Sequence, residues 1–259
     1  MKSGTESPEL VADRHEWLLA RLAERRRITT NDAAADLGVS VDTVRRDLRL
    51  LHDRGLVRRV HGGAVPVSPL SSSFAGRSAD DSPERAHLAG AIVDRLRPGQ
   101  VVGLDAGTTT AEVAAQIPRS LEITIVTNGP AAAMALADHP HASVVLLGGD
   151  VDLQWMACTG PSTVEAIGRH HLDLAVVGVC AIDVDAGATT RSRHELHTKR
   201  AWIAAAAETL VPVESAKLGA VAPFRIADAS DVGVVISEST SAPELVDAWR
   251  AAGLDVSVT

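Results

Sequence analysis

From residue 84 onward the chain repeats one rhythm. Short valine-rich runs (VVGLD, EITIVT, SVVLLGG, LAVVGVC, TLVPV and VGVVIS) alternate with segments of helical spacing: ERAHLAGAIVDRLR, TTAEVAAQIP, PAAAMALADH, STVEAIGRHH, HTKRAWIAAAAE and APELVDAWRAAG. A strand with one wet face alternates apolar and polar residues. These runs are apolar almost throughout, so both of their faces must be covered. Alternating strands and helices meet that demand in an α/β fold, a mostly parallel sheet with helices on both sides.

The first 65 residues read differently. From Arg14 to Val65 there are 11 Lys and Arg against 7 Asp and Glu, a local net of +4, whereas the whole chain carries a formal net charge of -8. A small basic piece joined to a larger acidic one suggests a polyanionic partner for the basic piece. Its spacing predicts a helix over HEWLLARLAERRR (15–27) and a short second helix capped by Thr30 or Asn31 and stopped by Gly38. Ser40 is placed to cap a third helix. There Val41, Val44, Leu48 and Leu51 form an apolar stripe, while Asp42, Arg45, Arg46 and Arg49 fall on the opposite face. Leu50 has no assignment on either face, and Gly55 is expected to end the helix. LVRRVHGGAV then reads as a short hairpin. Two helices, a Gly-containing turn, a third helix and a hairpin make a winged helix-turn-helix. The stripe would dock the third helix on its neighbours and leave its arginines for a major groove, where the guanidinium fork reaches guanine edges and phosphates. The candidate DNA-contacting residues are Ser40, Thr43, Arg45, Arg46 and Arg49 on the helix, and Arg58, Arg59 and His61 on the wing. The expected organisation is a tail over 1–13, a winged helix-turn-helix over 14–65, a Ser- and Pro-rich linker over 66–83 and an effector-sensing and oligomerisation domain over 84–259.

In open parallel sheets ligands gather beyond the carboxyl ends of the strands. Asp105, Gly107, Thr108, Thr109 and Thr110 follow the first valine-rich run and open a helix, where backbone N–H groups point outward and suit a phosphate. No Gly-Lys-Ser/Thr follows, so this is not a Walker A loop. Thr127 and Asn128 end the second run, and Gly148 and Gly149 the third. Glu195 and Lys199 sit four residues apart on a later segment, and Lys217 follows TLVPV. Lysines and helix N–H groups for phosphate, with Asp105 and Asn128 for hydroxyls, suit a small phosphorylated polyol.

These stretches resemble the DeoR family of transcriptional regulators. LGVSVDTVRRDLRLLHDRGLVRRVHGGAV is similar to that family's winged-helix motif, and LDAGTTT, VTNGPAAA, LLGGDV, TGPSTVEAI and ESAKLG to its second half. The resemblance implies a C-terminal domain like the ribose-5-phosphate isomerase fold that senses sugar phosphates. It implies a repressor of carbohydrate genes, released from double-stranded operator DNA by its effector. The chain departs from the family where Glu214-Ser215-Ala216-Lys217 replaces an Asp-Ser-Ser-Lys run, and at Leu174 and Ala181, where lysine and glycine are common.

Other chemistries find less support. Arg193 to His197 reads RHELH, one residue short of the zinc-protease spacing, and no metal or cofactor is expected. Cys158 and Cys180 are too few for a disulfide framework, and the bland reading is two small core residues. Aromatic residues make up 2% of the chain, which disfavours base stacking on single-stranded nucleic acid. No signal peptide or membrane span is expected, which points to the cytoplasm. A sugar-phosphate isomerase is the alternative reading, with Asp105 or Glu195 as its base. A transcriptional activator is another. Because one winged module touches few base pairs, a homodimer or homotetramer is expected.

Overall fold

The computed structural model describes residues 8–25, 28–53, 56–60, 62–66, 73–80 and 82–259. They divide into two compact units, Met1–Ser72 and Ser73–Thr259.

In the first unit α1 (Pro8–Arg25), α2 (Thr30–Leu37) and α3 (Val41–Asp53) pack with a three-stranded sheet of β1 (Ile28–Thr29), β2 (Val57–Val60) and β3 (Gly63–Pro66), ordered β1-β3-β2. The α2–α3 turn is made by Gly38, left-handed at φ 64°. Ser40 caps α3 as expected, its hydroxyl accepting from the Thr43 N–H at 3.1 Å. The anticipated stripe is the core: Val44, Leu48 and Leu51 are buried with Leu18, Leu22, Ile28, Ala33, Val57 and Ala64. Leu50, unassigned in the sequence, is exposed.

Several boundaries differ from the sequence reading. The first helix begins at Pro8, so part of the expected tail is helical, and Arg26 and Arg27 lie outside the described residues. Thr29, not Thr30 or Asn31, caps α2: its hydroxyl accepts from the Asp32 N–H at 3.1 Å, while Thr30 is already helical and buried. Gly55 and His61 lie outside the described residues. The stretch read as linker contains α4 (Phe74–Ala79), capped by Ser73. A serine N-cap followed by a helix of only six residues leaves no periodicity for a sequence pattern to register.

The second unit is a seven-stranded parallel sheet ordered β15-β14-β12-β9-β4-β5-β6. Its strands are β4 (Val101–Leu104), β5 (Ile123–Thr127), β6 (Ala142–Leu146), β9 (Leu172–Val176), β12 (Ala206–Val213), β14 (Val234–Ser237) and β15 (Asp255–Val258). The six anticipated runs supply all but β15. Successive side chains divide between two cores. On β9, Leu174 and Val176 join Leu88, Ile92, Val113 and Ile125 under α5 (Pro83–Val93), α6 (Thr108–Gln116) and α7 (Pro130–Ala135). Leu172, Ala175 and Val177 join Ile167, Trp202 and Trp249 under α8 (Pro161–Gly168), α9 (Arg193–Ala205) and α10 (Pro243–Ala251). Two small sheets were not foreseen. One is the hairpin β7 (Asp150–Asp152) and β8 (Ala157–Thr159). The other comprises β10 (Ala181–Asp183), β11 (Gly187–Thr190) and β13 (Phe224–Ala227). Their strands are too short to show a period.

The chain leaves β4 outward through β5 to β6, then returns to β9 on the other side of β4 and proceeds outward again. The order therefore reverses between β4 and β9, and a crevice is expected beyond their carboxyl ends.

Gly103 on β4 leaves room for the Trp202 ring. A Cβ there would stand 2.7 Å from Leu172 Cδ1 and 2.9 Å from the Trp202 ring. Gly103→Ala is expected to overpack this core and cost about 1–3 kcal/mol. Urea denaturation of the full chain checks it; an unchanged midpoint would mean that the ring yields freely.

Candidate functional site

At the reversal point the structure assembles a buried charge cluster. Asp105, the first residue beyond β4, accepts a short hydrogen bond from Lys199 Nζ on α9. Glu195 Oε1, one turn earlier on α9, is 3.6 Å from the same ammonium. All three are buried, Lys199 to 3% exposure, so the ammonium does not reach open water. Burial by itself lowers the Lys199 pKa, but Asp105 and Glu195 outweigh it and hold the ammonium above its usual range. Burial also raises Glu195, and Lys199 only partly offsets that. Gly178, just beyond β9, closes the third side: a Cβ there would lie 3.8 Å from Asp105 Oδ2 and 4.0 Å from Lys199 Nζ.

Thr108 and Thr109 stand half-buried on the first turn of α6, and Gly107 at its N-cap supplies no side-chain acceptor. The first-turn N–H groups therefore have no side-chain cap, and the helix dipole favours an anion there. Other residues from the sequence reading play supporting parts. Asn128 Oδ1 accepts from the Ala106 N–H at 3.0 Å and from Trp202 Nε1 at 3.2 Å, and its Nδ2 donates to Cys158 O at 2.9 Å. It is a buried bracket joining β5, α9 and β8. Thr127 donates to Leu104 O at 2.6 Å and accepts from the Gly129 N–H, and Thr110 donates to Gly107 O; both are buried. Gly148 accepts from Thr163 Oγ1 at 2.7 Å, and a Cβ on Gly149 would stand 2.0 Å from that oxygen. Their described contacts are thus with α8 rather than with Asp105. Lys217 pairs with Glu214 at 3.0 Å.

Sequence reasoning missed Arg77 and Trp155. The Arg77 guanidinium on α4 lies over the Trp155 ring in the β7–β8 turn, 5.0 Å from its centroid. It also missed Arg85, which lines a cavity of about 350 Å³ with Ser78, Ser82 and Thr108. His194 and His197 line a different cavity, of about 590 Å³, beside Pro161 and Val164.

In the first unit Arg45, Arg46, Arg49 and Arg59 are exposed. Arg45 pairs with Asp42 at 2.9 Å, but both side chains are largely in solvent, and such pairs are worth about 0–1 kcal/mol. A phosphate or base edge can therefore displace Asp42 cheaply. Ser40 and Thr43 share a hydrogen bond at the start of α3. His61 and the Arg58 side chain lie outside the described residues. Asp47, on the buried side of the same helix, ties α3 to α1 by accepting from Arg14 Nε at 2.9 Å and lying 3.3 Å from His15 Nε2.

Lys199→Met would leave two carboxylates buried side by side. Breaking a buried ion pair from one side costs about 3–5 kcal/mol, whereas removing both partners costs far less. The Lys199→Met chain is therefore expected to unfold at markedly lower urea than wild type, and Asp105→Asn in the same chain to recover part of the loss. A double mutant no more stable than Lys199→Met would show that the pair is not what holds the cluster.

Two family models match the chain. The DeoR-like helix-turn-helix domain covers residues 14–69, and the DeoR C terminal sensor domain covers residues 80–239. A similar curated relative is the HTH-type transcriptional regulator GlpR of Haloferax volcanii, 32% identical, over 95% of this chain and 97% of that one. The glycerol-3-phosphate regulon repressor of Haemophilus influenzae is 31% identical over 85% of this chain and 86% of its own. Among solved structures, ribose 5-phosphate isomerase A of Methanocaldococcus jannaschii superposes with a TM-score of 0.39 at 16% identity, over 53% of this chain and 55% of that one. The two domain matches together span most of the sequence, and the chain belongs to the DeoR family of transcriptional regulators.

Proposed function

We propose that the chain is a cytoplasmic repressor of carbohydrate-metabolism genes that leaves its operator when a phosphorylated sugar occupies the crevice at β4 and β9. The observation that carries this reading is the joining, in one chain, of an exposed arginine face on α3 to a sheet whose strand-order reversal coincides with the uncapped first turn of α6. A small phosphorylated ligand would set its phosphate at Thr108 and Thr109 and its hydroxyls toward Asp105, with Lys217 adding charge. The relatives named for glycerol-3-phosphate and for transcriptional regulation support the ligand class and the role. Isomerisation would need a positioned base near C2 of the sugar. The two carboxylates of the cluster, Asp105 and Glu195, are already committed to Lys199, which favours binding over turnover.

Repression requires that DNA and ligand favour different states, since a ligand shifts an equilibrium only by its differential affinity. The test is a gel shift with the DNA upstream of the gene, with and without a panel of sugar phosphates, beside a turnover assay on the same panel. Release by one panel member without turnover is expected; turnover, or tighter DNA binding with ligand, would overturn the reading. Replacing Arg45 or Arg46 by Ala is expected to cost about 1–3 kcal/mol of operator affinity if each reads a base. If both variants bind as wild type does, α3 is not the reading helix.

A second copy is part of this proposal. On β6, the sheet edge, Val144, Val145 and Leu146 are all exposed although successive residues face opposite sides. An apolar edge strand with both faces uncovered invites pairing with another chain. Light scattering at micromolar concentration is expected to report a dimer or tetramer. Val145→Lys should shift it toward monomer, and a monomeric wild type would refute the assembly.

A further inference from the structure

Glu238, the first residue beyond β14, is a buried carboxylate without a counter-charge. It is 7% exposed, and no Lys, Arg or His pairs with it among the described residues. Lys217, in the turn after the neighbouring strand β12, is paired with Glu214 instead. The two oxygens of Glu238 are treated unequally. Oε2 accepts from the Ser215 N–H at 3.0 Å, from Thr240 Oγ1 at 3.1 Å and, by a short bond, from Ser215 Oγ. Oε1 is buried and has no partner among the described residues. The hydroxyls around it have nothing left to give, because each carries one proton. Ser215 and Thr240 direct theirs to Oε2, and Ser237 donates to Val213 O at 3.1 Å. Ser241 Oγ lies 2.7 Å from Ser237 Oγ and 3.1 Å from Ser215 Oγ, either of which accepts its proton. With their protons turned to Glu238, Ser215 Oγ and Thr240 Oγ1 stand 3.0 Å apart and present lone pairs to each other. A water at Oε1 would satisfy the acceptor and leave the charge unbalanced. A bound cation meets both demands, and buried charges persist where they are paired or hold an ion.

We propose that Glu238 and the hydroxyls of Ser215, Thr240 and Ser241 bind a monovalent alkali cation, sodium or potassium, at the carboxyl ends of β12 and β14. The donors are all oxygens, which suits a hard ion. The set holds one carboxylate, which balances one positive charge. Glu238 and Ser241 are buried and Thr240 is exposed, so the ion enters past Thr240 and is then largely enclosed. Ser215 opens the 3-10 turn Ser215–Lys217, and the ion ties that turn to the loop between β14 and α10. Strands β12 and β14 lie on the far side of β9 from β4, and the site stands whether or not a sugar phosphate is the effector.

Thermal unfolding of the full chain tests the site. The protein is dialysed into choline chloride, and NaCl, KCl or MgCl2 replaces the choline at constant ionic strength. The wild-type midpoint is expected to rise with sodium or potassium along a saturating curve, by about 3–5 °C at about ten times the dissociation constant. Glu238→Gln keeps the shape and removes the charge, so its midpoint should be the same in choline, sodium and potassium. In choline it should melt no lower than wild type, because the unbalanced buried charge is gone. Thr240→Val changes an exposed position and removes one oxygen, so saturation should need about tenfold more cation. This variant serves if the glutamine chain folds poorly. Equal wild-type midpoints in all the salts, a rise without saturation, or a saturating response that persists undiminished in either variant would overturn the site. A response to MgCl2 alone would overturn the monovalent assignment.

Discussion

The ion pair between Asp105 and Lys199 is the point on which the second unit depends. Its partners stand 94 residues apart, one at the carboxyl end of β4 and one on α9. They meet because the strand order reverses between β4 and β9, which brings the end of β4, the end of β9 and the α9 face together. Charges taken out of water are tolerated only when paired and hydrogen-bonded, so the pair fixes which side of the sheet α9 covers and how far along it lies. Trp202, further along α9, completes the constraint: its Nε1 donates to Asn128, and its ring fills the space that Gly103 leaves open. The crevice thus has a rigid floor, and the adaptable parts lie around it.

One ammonium is shared by two buried carboxyl groups at the floor of the crevice. The Asp105 carboxylate is preorganised, because the buried Lys199 ammonium holds it. A cavity of about 350 Å³ lies where α4, α5 and the first turn of α6 meet, lined by Ser78, Arg85, Thr108 and Glu112. Helix α4 is short and tied to the β7–β8 turn by the Phe74 N–H, which donates to Gln154 O at 2.7 Å.

Much of this architecture was legible in the sequence. The stripe Val44, Leu48 and Leu51 and the arginines opposite it follow from helical period alone, and both fall where that period puts them. The valine-rich runs announced the buried strands because coverage on both faces leaves a continuous apolar signature. What sequence could not reveal were meetings between distant residues. Asn128 carried the signal of a polar residue at a strand end, and that signal is the same whether the amide faces a ligand or braces Trp202 and Ala106. Asp47 has no reading in the sequence pattern, yet it is buried against Arg14 and His15. Arg77 was lost because α4 is shorter than two helical turns and lies in a Ser- and Pro-rich stretch. Periodicity reports which face an element buries, not which partner it finds.

The division of charge bears on how such a chain handles DNA. The segment beyond Val65 carries 13 Lys and Arg against 23 Asp and Glu, so the bulk of the molecule repels a polyanion. Affinity must be concentrated in the few exposed arginines of α3 and the wing, because counterion release follows the phosphates contacted rather than net charge. Few contacts per module give weak binding, and linking two modules in one assembly recovers it by raising the effective concentration of the second. An acidic body then suppresses non-specific binding, and in the proposed assembly paired recognition helices would supply specific affinity. If copies pair at the β6 edge as proposed, an assembly that fails there would lose the operator without any change in the helix that reads it.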